Sequence, residues 1–205
     1  MQDYQKLWND RYGGGKFIFG KGPNEYFKSK IDNLATGNIY LPGDGEGRNG
    51  VYAADKGWNV TSVDFSKVAL ERAKEFASER DVKLTFQFIN LITEDLPQNK
   101  YDVVGISYLH FNGKNKGIVY RKLAESLKVG GYLILECFST EQIKLNSGGP
   151  RKKDSLYTVE ELKSYFQGFE FLETEDIKIN LSEGDGHQGD AHVVRMFARK
   201  LEEVK

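Results

Sequence analysis

The sequence predicts an α/β domain with a mostly parallel sheet, and three features of the chain support that prediction. Short apolar segments alternate with segments of helical periodicity between residues 37 and 138. Glycines follow the first apolar segment at alternate positions, directly before a helix. Two long β-like segments, Phe169–Leu181 and Ala191–Lys200, then close the sequence with no helix between them, so they must run antiparallel at one edge.

The parallel part of the sheet is predicted strand by strand. Apolar segments predict five strands over Asn38–Pro42, Asn59–Asp64, Lys83–Ile89, Tyr101–Ser107 and Tyr132–Phe138. The fifth is apolar throughout, so we expect it to be covered on both faces. Helices are predicted from Arg48 to about Lys56, over Lys67–Glu79 with Ser66 as its N-cap, over Lys116–Leu127, and from the capping box at Thr158 through Phe166.

The composition is that of a globular enzyme with one domain, residues 1–205. The 29 basic residues balance 30 acidic ones, which argues against nucleic acid as a partner because phosphate binding normally shows as a basic excess. A single cysteine, Cys137, excludes intrachain disulfides and suits a reducing compartment. With no stretch that resembles a signal peptide and no apolar segment of membrane-spanning length, we predict a cytoplasmic protein without a membrane partner.

Residues 1–33 are predicted to form an aromatic flap. A first short helix is expected to turn Leu7 and Trp8 inward. Two interpretations stay open. The segment either packs against the core, or it is a lid that covers a ligand, with Gly13–Gly15 as its hinge. The residues expected to contact the substrate or form the lid are Trp8, Tyr12 and Phe19.

The stretch Asn38–Asn49, NIYLPGDGEGRN, is predicted to bind a nucleotide-type cofactor. Its alternate glycines remove the Cβ atoms that would block the approach of a ligand, and the following helix presents free N–H groups. Asp64 ends the next strand, where a carboxylate can accept both hydroxyls of a ribose. Residues 45–50 also fit the dinucleotide fingerprint G-x-G-x-x-G, so spacing alone leaves a nicotinamide cofactor open.

Six stretches in order along the chain match motifs of one enzyme family. They read WNDRYG, GDGEGRNG, VTSVDFS, KYDVVGISYLHF, LKVGGYLILE and EGDGHQGDAHVVRMFARK. The chain thereby resembles class I S-adenosylmethionine-dependent methyltransferases, in the small-molecule branch that includes tellurite-resistance and thiopurine-type enzymes. The resemblance implies a Rossmann-like three-layer sandwich with a seven-stranded sheet in the order 3-2-1-4-5-7-6 and strand 7 antiparallel.

The resemblance also implies an activity and a set of site residues. The activity is methyl transfer from S-adenosyl-L-methionine to a small-molecule nucleophile, such as a thiol or a metalloid oxyanion, by in-line displacement. S-adenosyl-L-homocysteine is the product. The implied cofactor-binding residues are Gly43, Asp44, Gly45, Gly47, Asn49, Asp64, Phe65, Ser66, Asn90, Leu91, Ser107 and Tyr108.

Two histidines are the predicted catalytic residues, because a hydroxyl acceptor would need a general base near neutral pH. His110 lies just past the fourth strand, and His187 lies in the predicted loop SEGDGHQGD. His192 is predicted to be structural. No metal site is predicted, because the spacing of these histidines and the nearby acids fits no ligand motif.

Leu41 departs from the family pattern, which normally has an acidic residue at the end of the first strand. Either Asp44 or Glu46 compensates, or cofactor binding is weak. The alternatives left open are a cofactor-binding protein with weak or lost catalysis and a nicotinamide-dependent oxidoreductase. A macromolecular methyltransferase is disfavoured because no Asn/Asp-Pro-Pro-aromatic signature follows the fourth strand. We expect a monomer or a weak homodimer.

Overall fold

The computed structural model describes residues 2–203 and shows one seven-stranded sheet flanked by helices. The first residue of the predicted flap and residues 204–205 lie outside the described residues. The strands are β1 (Asn38–Pro42), β2 (Asn59–Asp64), β3 (Thr85–Phe88), β4 (Tyr101–Ser107), β5 (Leu127–Phe138), β6 (Phe169–Glu183) and β7 (His187–Lys200). Their order is β3-β2-β1-β4-β5-β7-β6, and β7 runs antiparallel to both neighbours, which confirms the predicted topology.

Six α-helices surround the sheet within the described residues. They are α1 (Gln2–Tyr12), α2 (Glu25–Ile31), α3 (Arg48–Asp55), α4 (Lys67–Glu79), α5 (Asn115–Ser126) and α6 (Val159–Tyr165). The two predicted caps are confirmed: the hydroxyls of Ser66 and Thr158 each accept a backbone N–H at 3.1 Å. No helix in residues 2–203 has the length and apolar character needed to cross a membrane.

The two faces of the sheet carry separate cores. On one face the core includes Val104, Leu133 and Leu135 with Val119 and Leu123 of α5. On the other it includes Ile39, Leu41, Val103 and Ile134 with Phe27 and Ile31 of α2. Both faces of the sheet are therefore closed to ligands. In sheets of this kind, ligands bind at the edge formed by the carboxyl ends of the parallel strands.

Two of the five predicted parallel strands differ in extent from the prediction. The fifth strand begins at Leu127 instead of Tyr132, because Leu127 already pairs with Tyr101 of β4 before the register shifts. Gly130 has a φ of 86° and sits where the register with β4 shifts, so the glycine pair forms a bulge within β5 and not a turn before it. At the sheet edge, β3 covers only Thr85–Phe88 of the predicted seven residues.

The prediction that the whole stretch SEGDGHQGD forms a loop between the last two strands is wrong. Backbone pairing continues to Glu183 opposite His187, so β6 and β7 are joined by residues 184–186 alone. Glycines at positions 184 and 186 allow this tight connection. His187 is therefore the first residue of a strand, and its backbone position is fixed by the hairpin.

Candidate functional site

The glycine loop joins β1 to α3 at the carboxyl edge of the sheet. Gly43, Gly45 and Gly47 have φ angles of 65°, 59° and 81°, the left-handed region in which glycine alone is unstrained. The backbone N–H of Asp44 donates to the Val63 carbonyl at 3.1 Å, which fixes the loop to β2. The loop thus presents backbone amides and the N-terminus of α3 at this edge.

Asp64 forms the floor of the predicted ribose site. Its side chain is buried, and its two oxygens accept the backbone N–H groups of Gly45 at 3.0 Å and Ser66 at 2.8 Å. Burial raises the pKa of Asp64 to about 6, although these amide bonds oppose the shift. At neutral pH the group is a carboxylate whose remaining lone pairs can accept ligand hydroxyls.

The Asp44 side chain anchors the glycine loop to the protein interior. Its Oδ2 accepts the hydroxyl of Ser62 at 2.7 Å, and a Cβ on Gly50 would collide with that oxygen. Burial raises the pKa of Asp44 to about 7. Leu41 instead faces the apolar core beside Phe27, and only 2% of its surface is exposed. The first-strand position that carries an acid in the family is therefore part of the core here.

Helix α1 packs on the predicted adenine side. Tyr4 stacks on Phe65 with ring centroids 5.8 Å apart, and the hydroxyl of Ser66 donates to Asn9 at 2.7 Å. Asn90 uses its side-chain oxygen to accept the N–H of Ile92 at 3.1 Å. Leu91 is buried in the core beside it.

The inward face of α1 differs from the prediction. Gln5, Trp8, Asn9 and Tyr12 share one helical face toward the site, whereas Leu7 is 57% exposed, so its predicted inward orientation is wrong. Trp8 stacks on Tyr12 at 5.4 Å. A Cβ on Gly45 would lie 2.7 Å from the Tyr12 hydroxyl, so Tyr12 covers the glycine loop directly.

The rest of the flap docks on the hairpin between β6 and β7. The Gly186 N–H donates to the Ile18 carbonyl at 2.8 Å, and Phe19 packs on His187 with centroids 4.5 Å apart. Glu46 of the glycine loop accepts the Ile18 N–H at 2.8 Å. The flap therefore packs against both the glycine loop and the hairpin and bridges them.

His187 lies in an aromatic setting beside a carboxylate. Its Nδ1 is 3.0 Å from Glu183 Oε2, which also accepts Arg48 at 3.0 Å. Tyr108 lies 4.4 Å from the His187 ring, measured between centroids. Burial lowers the pKa of His187, so the ring is neutral at pH 7, with Nδ1–H donating to Glu183 and Nε2 unprotonated.

His110 is held in a structural position. Its Nδ1 bonds the Ser155 carbonyl at 2.8 Å, and its Nε2 accepts the Phe138 N–H at 3.4 Å. Burial lowers the pKa of His110 to about 4. Its catalytic role stays a prediction, and these two bonds disfavour it because both nitrogens are engaged. Within residues 2–203 no group of three or more His, Cys, Asp or Glu residues is arranged to hold a metal.

A buried polar network joins the predicted residues to others that the sequence interpretation missed. Glu136 at the end of β5 is 1% exposed and accepts three hydrogen bonds at 2.6 Å, from Asn24, Tyr108 and Arg195. The network continues from the Asn24 N–H to Asn49, and from Asn49 to Ser107 at 3.1 Å. The sequence contains one signal of this network, because Glu136 is the single charge in the apolar stretch LILECF.

Comparison with known families gives one match over most of the chain. A family model described as "Tellurite resistance protein TehB" matches residues 25–201. A protein of Haemophilus influenzae (strain 10810) named "Probable S-adenosyl-L-methionine-dependent methyltransferase TehB" is 24% identical over 163 residues, which cover 77% of this chain and 55% of that protein. "Probable thiol methyltransferase 2" of Arabidopsis thaliana is 28% identical over 138 residues, which cover 63% of this chain and 58% of that protein. The chain thus spans about half the length of the curated relatives it matches.

A solved structure shows the same fold. The crystal structure of TehB from Haemophilus influenzae superposes with a TM-score of 0.72 at 20% identity, and the match covers 96% of this chain and 66% of that chain. At this identity the likeness concerns the arrangement of helices and strands.

Proposed function

The chain belongs to the tellurite resistance protein TehB family, and on that basis we propose that it is an S-adenosyl-L-methionine-dependent methyltransferase acting on a small-molecule nucleophile. The observation that carries the proposal is the buried Asp64 carboxylate fixed to the amide of Gly45 in the left-handed glycine loop. This pairing sets a hydroxyl acceptor beside a loop that a ligand can approach closely. The named activities of the relatives support it.

The residues present fit this cofactor. Asp64 would accept the ribose hydroxyls, the loop from Gly43 to Gly47 would lie along the methionine part, and Phe65 with Asn90 would flank the adenine. Tyr12 and Leu109 contact the loop in this structure, so both side chains must shift for the cofactor to enter. When bound, S-adenosyl-L-methionine supplies a sulfonium-bound methyl group, which a nucleophile takes by in-line displacement with a neutral thioether as leaving group.

We propose His187 as the general base; in this structure the ring is buried and its Nε2 lies beside Gly148. The neutral ring accepts a proton from the acceptor at Nε2, and Glu183, 3.0 Å from Nδ1, stabilises the resulting imidazolium. Packing between aromatic rings fixes the ring plane, which keeps Nε2 in one direction. Thiols are suitable acceptors because their thiolates are strong nucleophiles, and His187 would form the thiolate by taking the thiol proton near neutral pH.

Residues 1–33 act in this proposal as the lid of a single domain. The bridge that the flap makes between the glycine loop and the hairpin supports this interpretation, since closure would exclude water from both ligands. We further propose that the protein is cytoplasmic and has no nucleic-acid or membrane partner. We also propose that it is a monomer or a weak homodimer. The single cysteine supports the reducing compartment.

The two alternatives make different predictions. A nicotinamide-dependent oxidoreductase is disfavoured because the antiparallel β7 between β5 and β6 departs from the usual dinucleotide-binding strand order. A cofactor-binding protein without catalysis is motivated by Leu41, and it would bind S-adenosyl-L-methionine but turn over no acceptor.

Isothermal titration with S-adenosyl-L-methionine and S-adenosyl-L-homocysteine tests the proposal. We expect saturable binding that weakens about 100-fold in Asp64→Ala, because two hydrogen bonds to a charged group are lost. Because the pKa of Asp64 is about 6, binding to the wild-type chain should weaken as the pH falls below that value. Asp95→Ala, a change at an exposed residue, is the control. Absence of binding at millimolar ligand would refute the proposal.

A further inference from the structure

We propose that Asn24 is a positioning residue for the methyl transfer, and that its side-chain amide holds Glu136 and Glu183 together and keeps the flap against the site. The inference rests on the proposed function and deepens it, because it assigns the alignment of the groups around the proposed base to one residue of the flap. Asn24 acts through the two carboxylates and not on the reacting atoms.

The side-chain amide of Asn24 bridges two carboxylates from different strands. Its Nδ2 donates to Glu136 Oε1 of β5 at 2.6 Å and to Glu183 Oε1 of β6 at 3.3 Å. Asn24 and Glu136 are each only 1% exposed, so the bridge is shielded from solvent. An NH2 group carries two donors and no charge, and it can therefore join two carboxylates that would otherwise repel each other.

The other polar atoms of Asn24 bind the flap to the cofactor side. Its Oδ1 accepts the Phe27 N–H at 2.9 Å as the N-cap of α2. Its backbone N–H donates to Asn49 Oδ1 at 2.8 Å, and the Asn49 amide donates to Ser107 at 3.1 Å. One residue of the flap thus contacts both α3, which follows the glycine loop, and the carboxylates of the polar network.

Each of the two carboxylates also holds a ring on the proposed acceptor side. Glu136 accepts the Tyr108 hydroxyl at 2.6 Å, and Glu183 Oε2 lies 3.0 Å from His187 Nδ1. Tyr108 has a φ of 52°, a left-handed conformation that costs free energy in a bulky residue, so its contacts must hold it there. The centroids of the Tyr108 and His187 rings are 4.4 Å apart. Loss of the Asn24 bridge would therefore loosen both rings together.

Two substitutions at position 24 separate this role from the cap of α2. Serine and aspartate are both good N-cap residues, so Asn24→Ser and Asn24→Asp keep an acceptor for the Phe27 N–H. Both variants lose the NH2 group, and aspartate adds a carboxylate beside Glu136 and Glu183. Neighbouring like charges raise the pKa of a carboxyl group, so we expect the added group to regain a proton, and with it one donor, as the pH falls from 8 to 6.

Hydrogen exchange followed by NMR measures the flap contact and the cap separately. The Ile18 N–H, which donates to Glu46, reports the flap contact, and the Phe27 N–H reports the cap. We expect Ile18 to exchange at least about tenfold faster in Asn24→Ser than in the wild type, and Phe27 to change less than about threefold. In Asn24→Asp the acceleration of Ile18, corrected for the intrinsic exchange rate, should be larger at pH 8 than at pH 6.

Turnover is measured with 2-mercaptoethanol as the acceptor, through formation of S-adenosyl-L-homocysteine. We expect kcat of Asn24→Ser to fall about tenfold and the KM for S-adenosyl-L-methionine to change less than about threefold, because the alignment of the acceptor side is lost and the contacts of Asp64 remain. In Asn24→Asp the loss of kcat relative to the wild type should be greater at pH 8 than at pH 6. Loss of a cap alone would not give this dependence on pH.

Asn180→Asp is the matched control, because the Asn180 amide also donates to a carboxylate, that of Asp190, at 3.2 Å, but at an exposed position. It should leave Ile18 exchange and kcat within about twofold of the wild type. Unchanged Ile18 exchange or unchanged kcat in Asn24→Ser, or equal acceleration of Ile18 and Phe27, overturns the inference. Exchange is measured without ligand, so these results are distinct from a failure of the wild-type chain to bind S-adenosyl-L-homocysteine, which would refute the proposed function.

Discussion

The two halves of the candidate site are built in different ways. The proposed cofactor half consists of one contiguous loop and a strand end, and its main contacts are backbone amides that donate to Asp64. The proposed acceptor half consists of side chains from the flap, β5, β6 and β7 that meet in one polar network around Glu136 and Glu183. The first half therefore depends on backbone geometry, and the second on the pairing of buried charges.

Because of this difference, the two halves tolerate different substitutions. A loop that offers backbone amides keeps its function when its side chains change, provided its left-handed glycines stay. A network of buried charges loses function when one member is removed, because its partner is left uncompensated. We accordingly expect changes in the two halves to affect cofactor affinity and turnover separately. The three variants that follow test the packing and the charges on which the two halves depend.

The largest effect is expected from restoring the family's acid in the cofactor half. Leu41→Asp should lower the free energy of unfolding by more than about 3 kcal/mol, because it buries a carboxylate in an apolar core. Urea unfolding measures the change, and Leu41→Met is the size-matched control, with an expected loss below about 1.5 kcal/mol. A stable Leu41→Asp chain with tighter cofactor binding would show that Leu41 does impair the site.

A smaller effect is expected where the flap meets the hairpin. Gly184 has a φ of 57°, and a Cβ there would collide with the backbone of Ile18 and Gly20. Gly184→Ala should release the flap, speed proteolysis near Gly13–Gly15 and lower turnover about tenfold, with cofactor affinity changed less than threefold.

The control is Gly189→Ala, which shares a positive φ of 93° but has nothing within 4 Å of the added Cβ. Equal proteolysis of the two variants would mean that backbone strain, and not the flap contact, accounts for the result.

The smallest effect concerns the anchor of the glycine loop. The folded pKa of Asp44, about 7, lies above its ordinary value, so its favourable contribution is complete below about pH 4 and is lost as the pH rises through 7. Asp44→Asn should therefore gain stability relative to the wild type between pH 5 and pH 8, by roughly 2 kcal/mol. Thermal unfolding at both pH values measures it.

Asp190→Asn supplies the comparison for Asp44, because ion pairing lowers the pKa of exposed Asp190 and keeps it charged over this range. A wild-type chain that is as stable relative to Asp44→Asn at pH 8 as at pH 5 would contradict the buried position of this carboxylate.

The same contrast explains what the sequence could predict. Glycine spacing, the Asp64 strand end and the alternation of elements are local patterns, and they predicted the α/β class and the glycine loop, whereas the strand order came from the resemblance to a known family. Glu136, Asn24 and Arg195 are distant in sequence and meet only through the strand order, so no local pattern marks them. The tight hairpin was missed because SEGDGHQGD has the composition of a loop, although cross-strand pairing overrides it.

The most direct test of the account compares two histidine variants by titration with S-adenosyl-L-homocysteine and by turnover of 2-mercaptoethanol. His187→Gln should bind within about twofold of the wild type and lose about 100-fold in kcat at neutral pH. His110→Gln should instead lose thermal stability, because it breaks two buried hydrogen bonds. Unchanged turnover in a folded His187→Gln chain, or loss of cofactor binding together with turnover, would contradict the division of the site into two halves.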